Sequence, residues 1–433
     1  MIFINGVCRT GDWANQWEFG LSTADLLRET QRRFDVEGQR LVELDSYFAG
    51  RQRLWSAVWR SGDWAHRLTV GRDTDTFLAE TQAFFDREGL RLERAEVFLE
   101  GGRFVWAGSY RSGDWAHRFT VGRDTDTFLA ETQTFFDREG LRLTQAIPCT
   151  APDGSLRWAG IYVGGDWAHR FILGQDQDTF ARETQRFFDD EGLRLDQLVE
   201  YEVGGTTRYA GIYTPSGDAH RFFLGWPVQD FAAESQRLFD EEGLRITAAQ
   251  VTPRPGKGVR LQLKILDAPS VPIADMVRSM REVYASVGQL VTVEGTENLN
   301  LPLLTDLDAG ACEGTTTSEQ DQLFANRNNV GNDDITVYFC RSVTDVAAGS
   351  TWNGCATHPA GRPGAAVSSI ATRWTLAHEV GHVLGLEHCD KDGARLTDRL
   401  MTRGGTSTIT NPPPDLAASE SSAMDASALT VDL

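Results

Sequence analysis

A period of about 51 residues governs the first 250 positions. Gly11-Asp12-Trp13 recurs as Gly62-Asp63-Trp64, Gly113-Asp114-Trp115 and Gly165-Asp166-Trp167, then in altered form as Gly217-Asp218-Ala219, at steps of 51, 51, 52 and 52 residues. A Glu-Gly pair keeps the same phase, with its glycine at Gly38, Gly89, Gly140, Gly192 and Gly243. Five copies in phase define a repeat architecture, in which a unit too small to bury its own apolar face buries it against its neighbours. The chain begins inside the unit's second strand, so the first copy lacks its opening strand.

One copy shows the local pattern. Residues 104–110 (Phe-Val-Trp-Ala-Gly-Ser-Tyr) read as a strand rich in aromatic and β-branched side chains. A turn at residues 112–114 leads to a second strand at 117–121, where Phe119 and Val121 alternate with polar neighbours. Asp124 and the residues after it cap a helix. Phe128, Leu129, Phe135 and Phe136 give that helix its expected apolar stripe. Gly140 ends it, and Leu141-Arg142-Leu143 opens the next strand.

Ten of the twelve tryptophans fall in this region and are expected to form the core between copies. His66, His117, His169 and His220 recur at one position, which Asn15 takes in the first copy. One histidine per copy is a poor metal site, because ligands come in clusters, so a hydrogen bond fixing the turn is expected instead. The patterns Trp106-Ala107-Gly108-Ser109-Tyr110, His117-Arg118-Phe119 and Glu139-Gly140-Leu141-Arg142 resemble the bacterial tandem repeat in the N-terminal halves of polyglycine hydrolases. That resemblance implies a curved β/α superhelix accompanying a peptidase domain. The copies carry no repeated acid pair and no nucleophile with a base. They read as scaffold or as a binding surface for a protein or surface polymer, and both a ring and an open arc remain compatible with the sequence.

Composition narrows the partners. With 42 basic against 62 acidic side chains the net charge is −20, a surface that repels nucleic acid and anionic membranes. No apolar run approaches the roughly 18 residues of a membrane span. The first residues show neither a basic leader with an apolar core nor a cleavage site, which points to cytoplasmic residence or a leaderless export route. Six cysteines are too sparse for a disulfide scaffold, although Cys312, Cys340, Cys355 and Cys389 cluster in the last third.

After residues 252–258, a linker by composition, the period vanishes. Residues 259–265 alternate as a strand. Ile273, Met276, Val277, Met280, Val283 and Tyr284 form a helical stripe, and 290–293 form a second strand. A third strand is expected at 335–339 after a polar loop, and a shorter one near 365–368. Then comes His378-Glu379-Val380-Gly381-His382-Val383-Leu384-Gly385-Leu386-Glu387-His388. Histidines at i and i+4 project from one helical face, one turn apart, and suit two ligands on one tetrahedral Zn²⁺. Glu379, a quarter turn round, can reach a metal-activated water without binding the metal. Gly385 is placed to end the helix and turn the chain back, bringing His388 in as third ligand.

This HExxHxxGxxH pattern resembles the metzincin clan of zinc peptidases. The resemblance implies an α/β peptidase domain over residues 259–433 and a single catalytic zinc on His378, His382 and His388. It makes Glu379 the general base and Met401, thirteen residues after His388, the floor beneath the metal. Met424 lies in the expected final helix and fits that place less well. Two departures keep the branch open: Cys389 follows the third histidine, and Arg403 stands where some branches supply a tyrosine ligand. Cys389 could bridge Cys355, anchor the loop as a free thiol, or compete for zinc. Asp390, Asp392 and Asp398 could offer oxygens to calcium, but without the full EF-hand series they read as a solvated loop. Residues 365–369, just upstream of the helix, are the expected edge strand for an extended substrate.

The expected fold class is therefore α+β: a superhelix-like β/α array of five copies at 1–251, a linker at 252–258, and a metzincin-like zinc peptidase domain at 259–433. The expected activity is that of a zinc endopeptidase on protein or peptide substrates. The competing expectation is a repeat-based binding or structural protein whose zinc site is vestigial or serves only self-cleavage.

Overall fold

Strand, helix, strand, strand is the local order in each of the first four copies. In the computed structural model, which describes residues 2–49, 52–254, 256–389, 397–403, 406–410 and 413–433, each such group closes a three-stranded antiparallel sheet. Asn15–Leu21, Gln39–Ala49 and Gln52–Ser61 make the first sheet, with Gln52–Ser61 in the centre and helix Thr23–Arg32 inserted after the first strand. His66–Asp73, Leu90–Glu100 and Arg103–Ser112 make the second. His117–Arg123, Leu141–Thr150 and Leu156–Gly164 make the third, and Arg170–Gln175, Leu193–Val203 and Thr206–Pro215 the fourth.

The fifth sheet takes its central strand from the other end of the chain. Ile2–Thr10 lies between His220–Pro227 and Leu244–Pro253, pairing Val7 with Phe222 and Arg9 with His220. The expectation that the first copy lacks its opening strand does not hold: Ile2–Thr10 stands directly before Gly11-Asp12-Trp13, as Arg103–Ser112 stands before Gly113-Asp114-Trp115, and it completes the fifth sheet. The array is closed by backbone hydrogen bonds, and the choice between ring and arc is resolved in favour of closure.

The same side chains stitch the seams between copies. Arg40 donates to the carbonyl of Trp64, Arg91 to Trp115, Arg142 to Trp167 and Arg194 to Asp218, at 2.8, 3.1, 2.9 and 2.7 Å. Arg245 makes the closing bond to Trp13, at 2.6 Å. Gln145, Gln197 and Gln250 each bond both main-chain groups of one residue in the preceding copy, Ala95, Ala146 and Glu200. The Arg94–Glu43 ion pair and the Asp45 carboxylate on the amide of Val251 serve the other two seams.

In three of the copies the helix cap is the aspartate that the sequence pattern gives: Asp73, Asp124 and Asp176 accept from the amides of Thr76, Thr127 and Thr179, whereas Ser22 caps the first helix and Pro227 begins the fifth without a side-chain cap. Trp106 stacks on Phe77 and Trp158 on Phe128, in cores that run from one copy into the next. Leu129, expected in the stripe, is exposed, because it stands about 100° round the helix from the buried Phe128. Two of the repeated histidines bond across the seam instead of within the turn, while His66 Nε2 lies 3.1 Å from the Ser109 hydroxyl of its own sheet and His220 Nε2 is buried without a hydrogen-bond partner among the described residues. His117 and His169 face the carbonyls of Leu92 and Leu143 at 3.1 and 2.9 Å, and Asn15 donates to that of Ile246 at 2.9 Å.

The chain divides into two compact units, Phe3–Tyr47 with Arg53–Thr252, and a second built chiefly of Pro253–Leu433. The second unit has a main sheet in the order Leu290–Asn298, Lys257–Ile265, Asp334–Cys340, Gly364–Ser368, Gly354–Cys355. Its first four strands are parallel and the last antiparallel. Helices Ile273–Ala285 and Thr375–Val383 share one apolar core with this sheet, through Met276, Met280, Leu261, Val337, Leu376 and Val380. The long polar loop holds a short strand, Asp306–Asp308, and a helix, Ser318–Leu323, closed by a reciprocal Thr317–Gln320 capping box. Among the described residues no helix is long and apolar enough to cross a membrane.

Burial holds the imidazoles of His66 and His117 down at about 4 and that of His220 at about 3, against an ordinary 6.5. Below pH 6.5 the unfolded chain takes up protons that the folded array refuses, so these histidines contribute stability above that pH which drains away as the pH falls toward 4. The array's thermal midpoint should therefore drop across that window. A variant carrying His66→Asn, His117→Asn and His169→Asn, which copies the arrangement at Asn15, should drop less. Parallel melting curves of the two proteins at pH 7 and pH 4.5 test this; equal acid losses would refute it.

Candidate functional site

Two turns of helix set the spacing of the site. His378 and His382 lie on Thr375–Val383, a helix pinned from behind by the Tyr284 hydroxyl, which donates to the carbonyl of Ala377 at 2.9 Å. The helix stops in a Schellman arrangement: the amide of Gly385 bonds the carbonyl of His382 and that of Leu386 the carbonyl of Gly381, both at 2.9 Å. Gly385 has φ +96°, a conformation that a side chain would strain. The reversed chain then carries His388 back to the other two rings.

The three imidazoles converge. Nε2 of His382 lies 3.1 Å from Nε2 of His378 and 3.2 Å from Nε2 of His388. Two nitrogens each 2.0–2.1 Å from one tetrahedral ion stand roughly 3.3–3.4 Å apart, so the spacing fits a shared zinc. The tautomers fit as well. Nδ1 of His378 is 2.7 Å from the carbonyl of Leu400, and Nδ1 of His382 is 2.7 Å from that of Leu386. A carbonyl only accepts, so each Nδ1 carries the proton and each Nε2 presents its lone pair. Two lone pairs facing each other at this distance repel unless a cation lies between them. Among the described residues this trio is the one cluster of histidine, cysteine or acid side chains with such convergence.

Glu379 is buried beside the trio, and burial pushes its carboxyl up to about 8. A divalent cation on the histidines would oppose that shift and favour the carboxylate. Its side chain packs against the outermost strand of the sheet. A Cβ on Gly354 would fall 2.6 Å from Cγ and 2.8 Å from Oε1 of Glu379, so only glycine leaves room for this carboxylate. Met401 is fully buried beneath the helix, its sulfur filling the space beside Gly381.

The edge of the sheet differs from expectation. Gly364–Ser368 pairs on both sides, with Asp334–Cys340 and with Gly354–Cys355, so residues 365–369 lie one strand in. The edge is Gly354–Cys355, held by a disulfide from Cys355 to Cys312. Cys355 is therefore not bridged to Cys389. The Cys389 thiol donates to the carbonyl of Met401 at 3.3 Å, as its amide does at 3.0 Å, which makes it an anchor between the third histidine and the methionine. Sequence reasoning missed Gly354 and the Cys312 link; the isolated Gly354-Cys355 pair after Ser350-Thr351-Trp352 was the available signal. Asp390 and Asp392 lie outside the described residues, and Asp398 is exposed.

Residues 263–430 match the reprolysin-like metallopeptidases of family M12B. The match spans the sheet from the end of Lys257–Ile265 onward, the helix and all three histidines, and supports a zinc-dependent peptidase in the C-terminal part of the chain, acting on protein or peptide substrates. No curated protein matches the chain.

The disulfide closes a loop of 43 residues, a constraint on the unfolded chain of about 3–4 kcal/mol. Thiol titration of the unreduced, denatured protein should find four reactive cysteines, Cys8, Cys149, Cys340 and Cys389, and six after reduction. Replacing Cys312 and Cys355 together by serine should lower the denaturant midpoint of the C-terminal unit. Six thiols without reductant would disprove the bridge.

Proposed function

We propose that this chain is a zinc endopeptidase, with its catalytic domain at residues 259–433, a linker at 252–258 and a repeat array at 1–251 that serves as scaffold or substrate-binding surface. The observation that carries the reading is the pair of facing Nε2 atoms on His378 and His382, each with its Nδ1 proton committed to a main-chain carbonyl. His378, His382 and His388 hold the metal. When bound, zinc supplies Lewis acidity and lowers the pKa of a water to about 7.

The remaining steps belong to the protein's own groups. Glu379 takes the proton from the attacking water at its carboxylate and returns it to the leaving nitrogen of the peptide. Gly354 keeps that carboxylate beside the edge strand, so an extended peptide laid along Gly354–Cys355 has its carbonyls near the acid. Met401 packs under the rings without ligating, and the Leu400 carbonyl next to it orients His378.

The experiment is cleavage of casein by the full chain. A chelator should abolish it and added zinc restore it. Glu379→Ala should lower turnover by roughly 10²–10⁴ while leaving zinc stoichiometry at one per chain. Wild-type protein that carries zinc but is as inert as Glu379→Ala over a broad peptide library would overturn the assignment in favour of a binding protein with a vestigial site.

A further inference from the structure

We propose that the repeat array binds a small monocarboxylate in the cavity walled by Arg60, Trp13 and Asp196. This cavity, of about 290 Å³, is lined from four of the five sheets. It lies in the array and draws on none of the residues of the histidine cluster, so it is independent of the peptidase reading.

The copies agree where they pack and differ at two strand positions, from which Arg9, Arg60, Val42, Glu93, Asp196 and Thr247 line this space. Opposite the seam arginines Arg91, Arg142 and Arg194 stand Arg111, Val163 and Thr214, and the same strand position holds Arg60 and Arg9 in the other two sheets. On the facing strands, one period apart, stand Val42, Glu93, Thr144, Asp196 and Thr247. Three cations at one position thus meet two acids at the other. Arg9 pairs with Asp196 and, at 3.0 Å, with Asp218. Arg111 pairs with Glu93 at 3.3 Å, and Arg94, which also lines the cavity, pairs with Glu43 at 2.9 Å. Asp196, Asp218 and Glu43 are engaged in these pairs, and Glu93 is engaged through Oε1 while its buried Oε2 has no hydrogen-bond partner among the described residues.

Arg60 is the cation left over. Among the described residues its side chain makes neither a hydrogen bond nor an ion pair, its main chain being paired with Asn15 in the sheet. Its guanidinium is flanked by the rings of Trp13 and Trp64, with Cζ 5.5 and 5.2 Å from their centroids. Burial lowers its hold on its proton, Glu93 opposes this, and Arg111 and Arg94 add to it, so the charge stands in a poorly solvated and partly repulsive place. Five N–H donors held in a planar fork between two indoles, with no acceptor, match the bidentate geometry of a carboxylate. The acids around the cavity disfavour a dianion such as phosphate, and the volume admits only a small organic acid.

The test uses the full chain with benzoate as probe and benzamide as its neutral isostere, in titration calorimetry at low salt. Benzoate should bind at one site per array, and at least about tenfold more tightly than benzamide, the discrimination expected of a charge-assisted pair. Arg60→Met should lose benzoate binding, and Arg60→Lys, which keeps the charge without the fork, should retain only a weakened form. Circular dichroism would verify the fold of both variants, and the benzoate–benzamide comparison on unaltered protein stands even if either fails to fold. Equal binding of benzoate and benzamide, no binding of benzoate, or phosphate binding in preference to it would each overturn the proposal, as would a folded Arg60→Met that binds benzoate normally.

Discussion

The commitment of two Nδ1 protons to main-chain carbonyls governs the candidate site. Because Leu386 and Leu400 accept those protons, the rings of His378 and His382 are fixed in both tautomer and rotation. Leu386 is available only because the helix ends at Gly385 with φ +96°, and Leu400 only because the following segment returns beneath the helix with Met401. Helix cap, methionine and ligand orientation therefore form one mechanical unit. A side chain at position 385 would disturb the convergence of the three rings without touching any of them.

The chemical half of this arrangement was legible in the sequence. Histidines at i and i+4, a glycine three further on and a third histidine three beyond that require a helix, a reversal and a convergence, and the chain makes all three. The same holds for the repeats, where strand, cap and helix follow from a single copy. What escaped was set by partners distant in sequence. Glu379 owes its burial to Gly354 on a two-residue strand, too short to show any alternation. Cys355 and Cys389 both lie near the site, yet proximity in function did not decide the bridge; Cys312, 43 residues away along the chain, did. The small helix Ser318–Leu323 was readable through its Thr-x-x-Gln capping box but lies in a loop whose polarity hides it.

Closure of the array explains why its seams repeat so faithfully. An open stack needs special capping copies at its ends, because the terminal units have nothing to bury against. Here Ile2–Thr10 fills the place a sixth copy would have supplied, and Arg245 reaches Trp13 as Arg91 reaches Trp115. No copy is terminal in space, so each retains the buried tryptophan or arginine that a capping unit would have exchanged for polar side chains. The fifth copy departs most, with Ala219 for tryptophan and Pro227 at the helix start, and it is the copy stabilised by strands from both ends of the array.

Closure also separates two kinds of variation among the copies. Positions on the seams bond the main chain of a neighbour, so a change there costs a buried hydrogen bond, about 1–3 kcal/mol where a donor or acceptor is left unpaired. Positions facing the cavity carry no such constraint and are free to diverge in charge. Arg40, Arg91, Arg142, Arg194 and Arg245 are one residue type five times, whereas the place of Arg60 holds three arginines, a valine and a threonine. Packing alone accounts for the first set. The second needs a different reason, and an unpaired guanidinium between two indoles supplies one, since a charge kept at that desolvation cost without an acceptor from the chain is poised to take one from outside.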